Sequence, residues 1–150
     1  MDEKNADTSA VNPFADAPVI FSYTRAQAIE DGVLVDLTPW AKETGFRIPV
    51  ACTSSVWHGH IVPPNGLEGF SQSERGRGHD LLWMLWLAIR RSAQKPAKAN
   101  DDHSTGADII LFDVIFLQAP NKPGTVKLNA VCGPGDRGEP VITVMLPGED

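Results

Sequence analysis

The sequence predicts one α+β domain, a C-terminal three-stranded antiparallel meander, with N-terminal strands as its candidate extension, packed against one long helix and short N-terminal helices. Three observations predict it. An uninterrupted apolar run from Leu81 to Ile89 is preceded by Asp80 and followed by Arg90 and Arg91, the order of charge that suits a helix dipole. Three strand-like runs follow at residues 109–118, 126–132 and 141–146, parted by turns rich in Pro and Gly, and short turns between consecutive strands make a meander. The 150 residues, 42% hydrophobic and 21% charged, fit one ordinary core without disulfides or metals to hold it.

Along the chain, residues 1–17 show no apolar periodicity and read as a disordered leader, which places the domain at 18–150. Val19-Ile20-Phe21 reads as a short strand. Thr24, with Gln27 three positions on, has the pattern of a capping box, so a short helix is expected to run to Gly32. Val33 to Leu37 is rich in β-branched residues and reads as a second strand. Thr38 at N-cap and Pro39 at N1 start another helix that Gly45 stops. Pro49 restricts Phe46 to Val50 to an edge or an extended link, and Thr53 is a candidate cap for a further helical turn. Residues 62–78 have the composition of a long loop, and the main helix is expected from His79 to Gln94. On a period of 3.6 residues, Leu81, Leu82, Leu85, Trp86 and Ile89 share the face expected on the sheet, with Trp83 and Leu87 on the opposite side. After a polar linker at 95–107, the first strand-like run is apolar almost throughout and is expected at the centre of the sheet; in the second, Val126, Leu128, Ala130 and Cys132 alternate with Lys127 and Asn129, so one face is buried and the other wet.

Charge excludes several functional classes. The net charge of -6 resides at the two ends: Asp2, Glu3, Asp7 and Asp16 against Lys4, and Asp136, Glu139, Glu149 and Asp150 against Arg137. The body from 18 to 135 is neutral, which argues against both nucleic-acid mimicry and nucleic-acid binding. The apolar run is about half of the roughly 20 residues that a membrane span needs. The acidic N-terminus lacks the basic start and apolar stretch of a secretory signal, so a cytoplasmic protein is expected. Cys52 and Cys132 are then reduced, and their wide spacing suits buried small hydrophobes.

The segments Phe21 to Leu37, Pro49-Val50-Ala51, Val56-Trp57, Gly133-Pro134-Gly135-Asp136 and Glu139 to Pro147 form a pattern. It resembles a family of small bacterial proteins, a domain of unknown function found on plasmids, phages and integrated elements. The resemblance covers nearly everything after residue 17. It brings no functional residue with it, but implies a genetic neighbourhood in which accessory proteins often inhibit host defence, restriction and CRISPR systems included.

Each chemical constellation has a plain structural reading beside it. His58-Gly59-His60 with His79 or Asp80 is a candidate metal set, though H-x-H occurs without H-E-x-x-H or a paired C-x-x-C, and no metal or other cofactor is expected. Gly133-Pro134-Gly135-Asp136 leads into a strand, so it reads as a hairpin turn rather than a phosphate cradle. Glu30, Asp31, Asp36 and Glu43 supply carboxylates for acid/base work or simply solvated element ends. Arg75, Arg77, Arg90, Arg91, Lys95 and Lys98 bracket the long helix with only Asp80 against them, either to meet an acidic partner or as a solvated helix end. The leading expectation is a non-enzymatic protein-binding accessory protein with Trp83, Leu87, Arg75, Arg77, Arg90 and Arg91 as binding residues. The rivals are a small hydrolase or transferase using Asp31, Asp36, Asp80, Glu139 and the histidines, and a self-associating structural subunit such as a homodimer.

Overall fold

A computed structural model of the chain describes residues 23–94 and 108–149. The leader, the strand expected at Val19 to Phe21 and the linker at 95–107 lie outside the described residues. Helix α1 (Arg25–Glu30) opens on the capping box: the Thr24 hydroxyl accepts from Gln27 N at 3.0 Å and the Gln27 side chain accepts from Thr24 N at 3.0 Å. After Gly32, left-handed at φ 80°, strand β1 (Leu34–Asp36) leads into α2 (Thr38–Thr44). Leu37 caps α2, one residue before the expected Thr38, because the Thr38 hydroxyl is held by Val50: it lies 3.3 Å from the carbonyl and 3.2 Å from the amide. Gly45 stops the helix at φ 118°. Strand β2 (Val50–Thr53) was not expected, since Val-Ala-Cys-Thr is short and lacks alternation; three of its four residues are buried because both of its faces are covered. Thr53 does cap a turn of helix, α3 (Ser54–Val56), which continues as a π-helical turn over Trp57–Ile61.

The long helix α4 (Glu74–Gln94) starts five residues before the expected His79. The Ser73 hydroxyl accepts from Gly76 N at 2.9 Å, an N-cap bond. Two glycines then enter the helix, against their propensity, and packing accounts for one of them. A Cβ on Gly78 would meet the Trp40 ring at 2.5 Å, so only glycine lets α2 and α4 approach. Strands β3 (Asp108–Ala119), β4 (Lys122–Pro134) and β5 (Pro140–Met145) form the expected meander, with Asn121 left-handed at φ 59° in the first turn.

The five strands form one sheet in the order β1-β2-β5-β4-β3, in which only the pair β2–β5 is parallel. The apolar run of β3 is therefore at an edge, not at the centre; β5 takes the centre because β2 docks beside it. Helix α4 crosses β3 as expected. Its Leu81, Leu82 and Leu85 are fully buried against Phe112, Val114, Phe116 and Leu128, and the cluster extends through Val144, Cys52 and Val50 to Leu37 and Ala41. Burial pushes the Cys52 thiol up to about 12, with Glu149 adding to the shift, so this cysteine behaves as a small hydrophobe. Helix α1 lies against the opposite face, where Arg25 reaches Thr143.

Two outcomes check this packing. Leu128 is fully buried while its neighbour Lys127 faces solvent beside Asp113. Leu128→Ala is expected to cost about 2–5 kcal/mol and Leu128→Asp to abolish folding, whereas Lys127→Asp places like charges opposite one another on a wet face and costs about 1 kcal/mol or less. Urea titrations of the variants measure the difference. Gly78→Ala forces the Trp40 ring aside and is expected to cost about 1–3 kcal/mol, read by the same titration, although alanine has the higher helix propensity.

Candidate interaction surface

Apolar side chains are most exposed along β3. Its even-numbered residues face α4, and its odd-numbered ones face away. Ile109, Leu111 and Ile115 are 62%, 74% and 65% exposed, and Asp113 between them pairs with Lys127 at 3.6 Å. In the next strand Asn129 stands opposite Leu111 on one side and Met145 on the other. Its side-chain oxygen is buried without a hydrogen-bond partner among the described residues. A depression of about 320 Å³ lies here, lined by Leu111, Asp113, Lys127, Asn129 and Pro147 among others.

The outer edge of β3, unpaired among the described residues, is bordered by α4, which runs in the opposite direction. Trp83 and Met84 lie beside Val114 and Ile115 in a groove of about 160 Å³. Met84, Ala88, Arg91 and Ser92 lie beside residues 109–113 in a larger groove of about 640 Å³. Trp83 is 52% exposed and Leu87 half-buried, and neither belongs to the core cluster, which the helix meets through Leu81, Leu82 and Leu85 with Met84, Trp86, Ala88 and Ile89 beside them. At the far end of the edge, Arg77 is only 3% exposed. Its Nε donates to His60 O at 2.7 Å, and its Nη1 donates to Leu117 O at 2.8 Å and to Gln72 Oε1 at 2.9 Å. The guanidinium lies 4.7 Å over the Phe116 ring. Burial lowers its pKa, with Asp80 opposing. Arg77 is thus spent inside the molecule and Arg75 on Glu43, at 2.7 Å, while Arg90 and Arg91 remain exposed.

The remaining candidates are dispersed. His79 lies 3.0 Å from Glu43 and beside Trp40. His60 stacks on Phe116, where burial first and Arg77 second lower its pKa. His58 is exposed. Among the described residues no three His, Cys, Asp or Glu side chains form a group able to hold a metal. Asp31 accepts from the Tyr23 hydroxyl at 2.7 Å, which raises the Tyr23 pKa. A cleft of about 870 Å³ opens between α4 and the ends of β3 to β5, with Phe46, Ile48, Trp86, Ile89 and Cys132 in its walls.

Asp36 and Glu139 do share a cleft. They line a cleft of about 440 Å³ with Arg25 and Asp136, so the first and last segments of the sequence pattern converge there. No local signal in the sequence pairs Arg25 with Asp136. Asp136 accepts from Arg25 N at 2.7 Å and Ala26 N at 3.1 Å, and those bonds hold its pKa below the usual carboxylate value. Arg25 donates to the Thr143 hydroxyl at 2.6 Å and to Ile142 O at 2.7 Å; burial lowers its pKa while Asp36, Asp136 and Glu139 oppose. These bonds fasten α1 to the sheet and leave Asp36 and Glu139 as the cleft's remaining carboxylates. Since the folded Asp136 carboxyl is the stronger acid, its contribution is complete above the unfolded pKa, about 3.9, and is lost as pH falls through the folded value. Asp136→Asn is therefore expected to melt below the parent at pH 7, and the gap between the two melting temperatures to narrow as the pH is lowered below the unfolded pKa toward the folded one.

No curated protein and no solved structure matches the chain. No helix among the described residues is long and apolar enough to cross a membrane. A family of unknown function, DUF6573, matches residues 10–150, as expected of a chain read as belonging to an uncharacterised domain family. The chain belongs to the DUF6573 family.

Proposed function

We propose that this protein is a non-enzymatic protein-binding module that docks a macromolecular partner on the outward face of β3. The observation that supports this reading is the row Ile109, Leu111 and Ile115, each more than 60% exposed on one face of an edge strand. Three aliphatic side chains in a row are costly to leave in water, since each is worth about 1.5–3 kcal/mol when fully buried. Exposed apolar side chains gathered on one face and set among charges, as here around Asp113 and Lys127, mark interaction sites. The catalytic reading has less support: Asp136 is occupied by two backbone amides and Arg25 by Thr143 and Ile142, and Asp31, Asp80 and the histidines stand apart from Asp36 and Glu139. The resemblance to plasmid-, phage- and integrated-element-borne proteins makes a component of host defence, of restriction or CRISPR type, the first partner to try.

A capture experiment with two variants tests the proposal. Leu111→Lys substitutes an exposed side chain and is expected to change stability by about 0.5 kcal/mol or less, yet to abolish saturable binding of the partner recovered from bacterial cells and identified by mass spectrometry. Trp83→Ser combined with Leu87→Glu probes α4. Retained folding with loss of binding extends the surface onto the helix, and simple melting assigns Leu87 to the core. Undiminished binding by Leu111→Lys would remove the β3 face from the interaction.

A further inference from the structure

Among the described residues no strand pairs with the outer edge of β3, so that edge presents unpaired backbone as well as side chains, and such an edge is a template for another strand. We infer that the occupant is a second copy of this chain, whose β3 pairs antiparallel with the first about a two-fold axis through Phe112. This inference rests on the reading of β3 as an interaction surface and names one partner at its edge.

Four constraints lead to that register. Directly opposed residues in an antiparallel pair point to the same face, so the axis must pass through a residue and not between two. An axis through Asp113 would set two carboxylates opposite one another and is excluded by repulsion. At the C-terminal end, the Leu117 carbonyl is already held by Arg77 at 2.8 Å and the register with β4 shifts between Leu117 and Ala119. The regular free edge is therefore Asp108 to Phe116, whose midpoint is Phe112. About that axis Ile109 faces Ile115 of the second copy, twice, and Leu111 separates the two Asp113 side chains.

The fourth constraint is charge. In this register Asp108 of the second copy lies opposite Phe116, the ring that carries Arg77 at 4.7 Å. Among the described residues the hydrogen bonds of Arg77 go only to uncharged oxygens, so the Asp108 carboxylate of the second copy brings a compensating charge near this buried guanidinium without displacing those bonds. Ala88 and Ser92 leave the groove of about 640 Å³ beside Phe112, which gives room for the second helix to approach. Edge pairing leaves the outward side chains uncovered and merges the two rows of Ile109, Leu111 and Ile115 into one continuous surface.

Sedimentation equilibrium combined with disulfide trapping tests the dimer. The full chain is expected to be dimeric at micromolar concentration, and Asp108→Lys to weaken the dimer at least about tenfold. The double variant Ile109→Cys with Ile115→Cys is expected to form a covalent dimer under mild oxidation. Directly opposed Cα atoms are about 4.5–5.5 Å apart, within the reach of a disulfide, whereas these positions within one chain are about 20 Å apart on a strand. Each single variant is expected to remain uncrosslinked. A monomer, or a dimer that the double variant fails to trap, overturns the inference. A monomer whose partner capture still depends on Leu111 overturns the dimer alone; a trapped dimer that captures nothing overturns the partner reading alone.

Discussion

A single buried guanidinium determines how the parts around α4 meet. Arg77 projects from the second turn of α4 and is closed in by three segments: the π-helical turn through His60 O, the loop before the helix through Gln72, and the end of β3 through Leu117 O. A guanidinium cannot shed its charge in a protein, and leaving it unsatisfied in an apolar interior would cost several kcal/mol. All three acceptors must therefore be in place together. Their registration sets where α4 lies along β3, and hence which α4 side chains line the free edge: Trp83 and Met84 near its C-terminal part, Ala88 and Arg91 near its start. The interaction surface depends on this registration even though Arg77 itself is hidden.

Local patterns in the sequence were legible wherever a local rule determined the outcome. Thr24 and Gln27 form their box because both partners lie within one turn, and Gly45 stops α2 because the left-handed conformation is needed there. The alternation of Lys127 and Leu128 gave the faces of β4 correctly. Non-local outcomes were not legible. Strand β2 has too few residues to show a period, and its place beside β5 depends on a parallel pairing, Val50 with Ile142, between distant parts of the chain. That pairing moved β3 from the expected centre to an edge, and its odd-numbered apolar residues Ile109, Leu111 and Ile115 became a surface while Phe112, Val114 and Phe116 stayed in the core. The early start of α4 was hidden because Gly76 and Gly78 read as loop, while the reason for Gly78 is a tryptophan on another helix.

The site residues divide in the same way. Arg75, Arg77, Arg90 and Arg91 are alike in sequence, but one is paired with Glu43, one is buried and two are exposed. Only the fold separates them. The two ends of the family pattern, Arg25 and Asp136, join in a clamp of backbone and side-chain bonds, which accounts for their presence through architecture and does not require chemistry at that cleft.

The parallel neighbourhood of β2 and β5 also bears on the order in which the molecule assembles. The hairpin of β3 and β4 closes through a tight turn and forms by local contacts, which are fast. Strand β2, made earlier during synthesis, has β1 on one side and on its other side only β5, which is translated some ninety residues later. Until β5 leaves the ribosome, Val50, Ala51 and Cys52, all buried in the finished sheet, have no covering neighbour there. The N-terminal half thus spends the interval of its own synthesis with an open strand edge, in the condition where chaperones engage nascent chains.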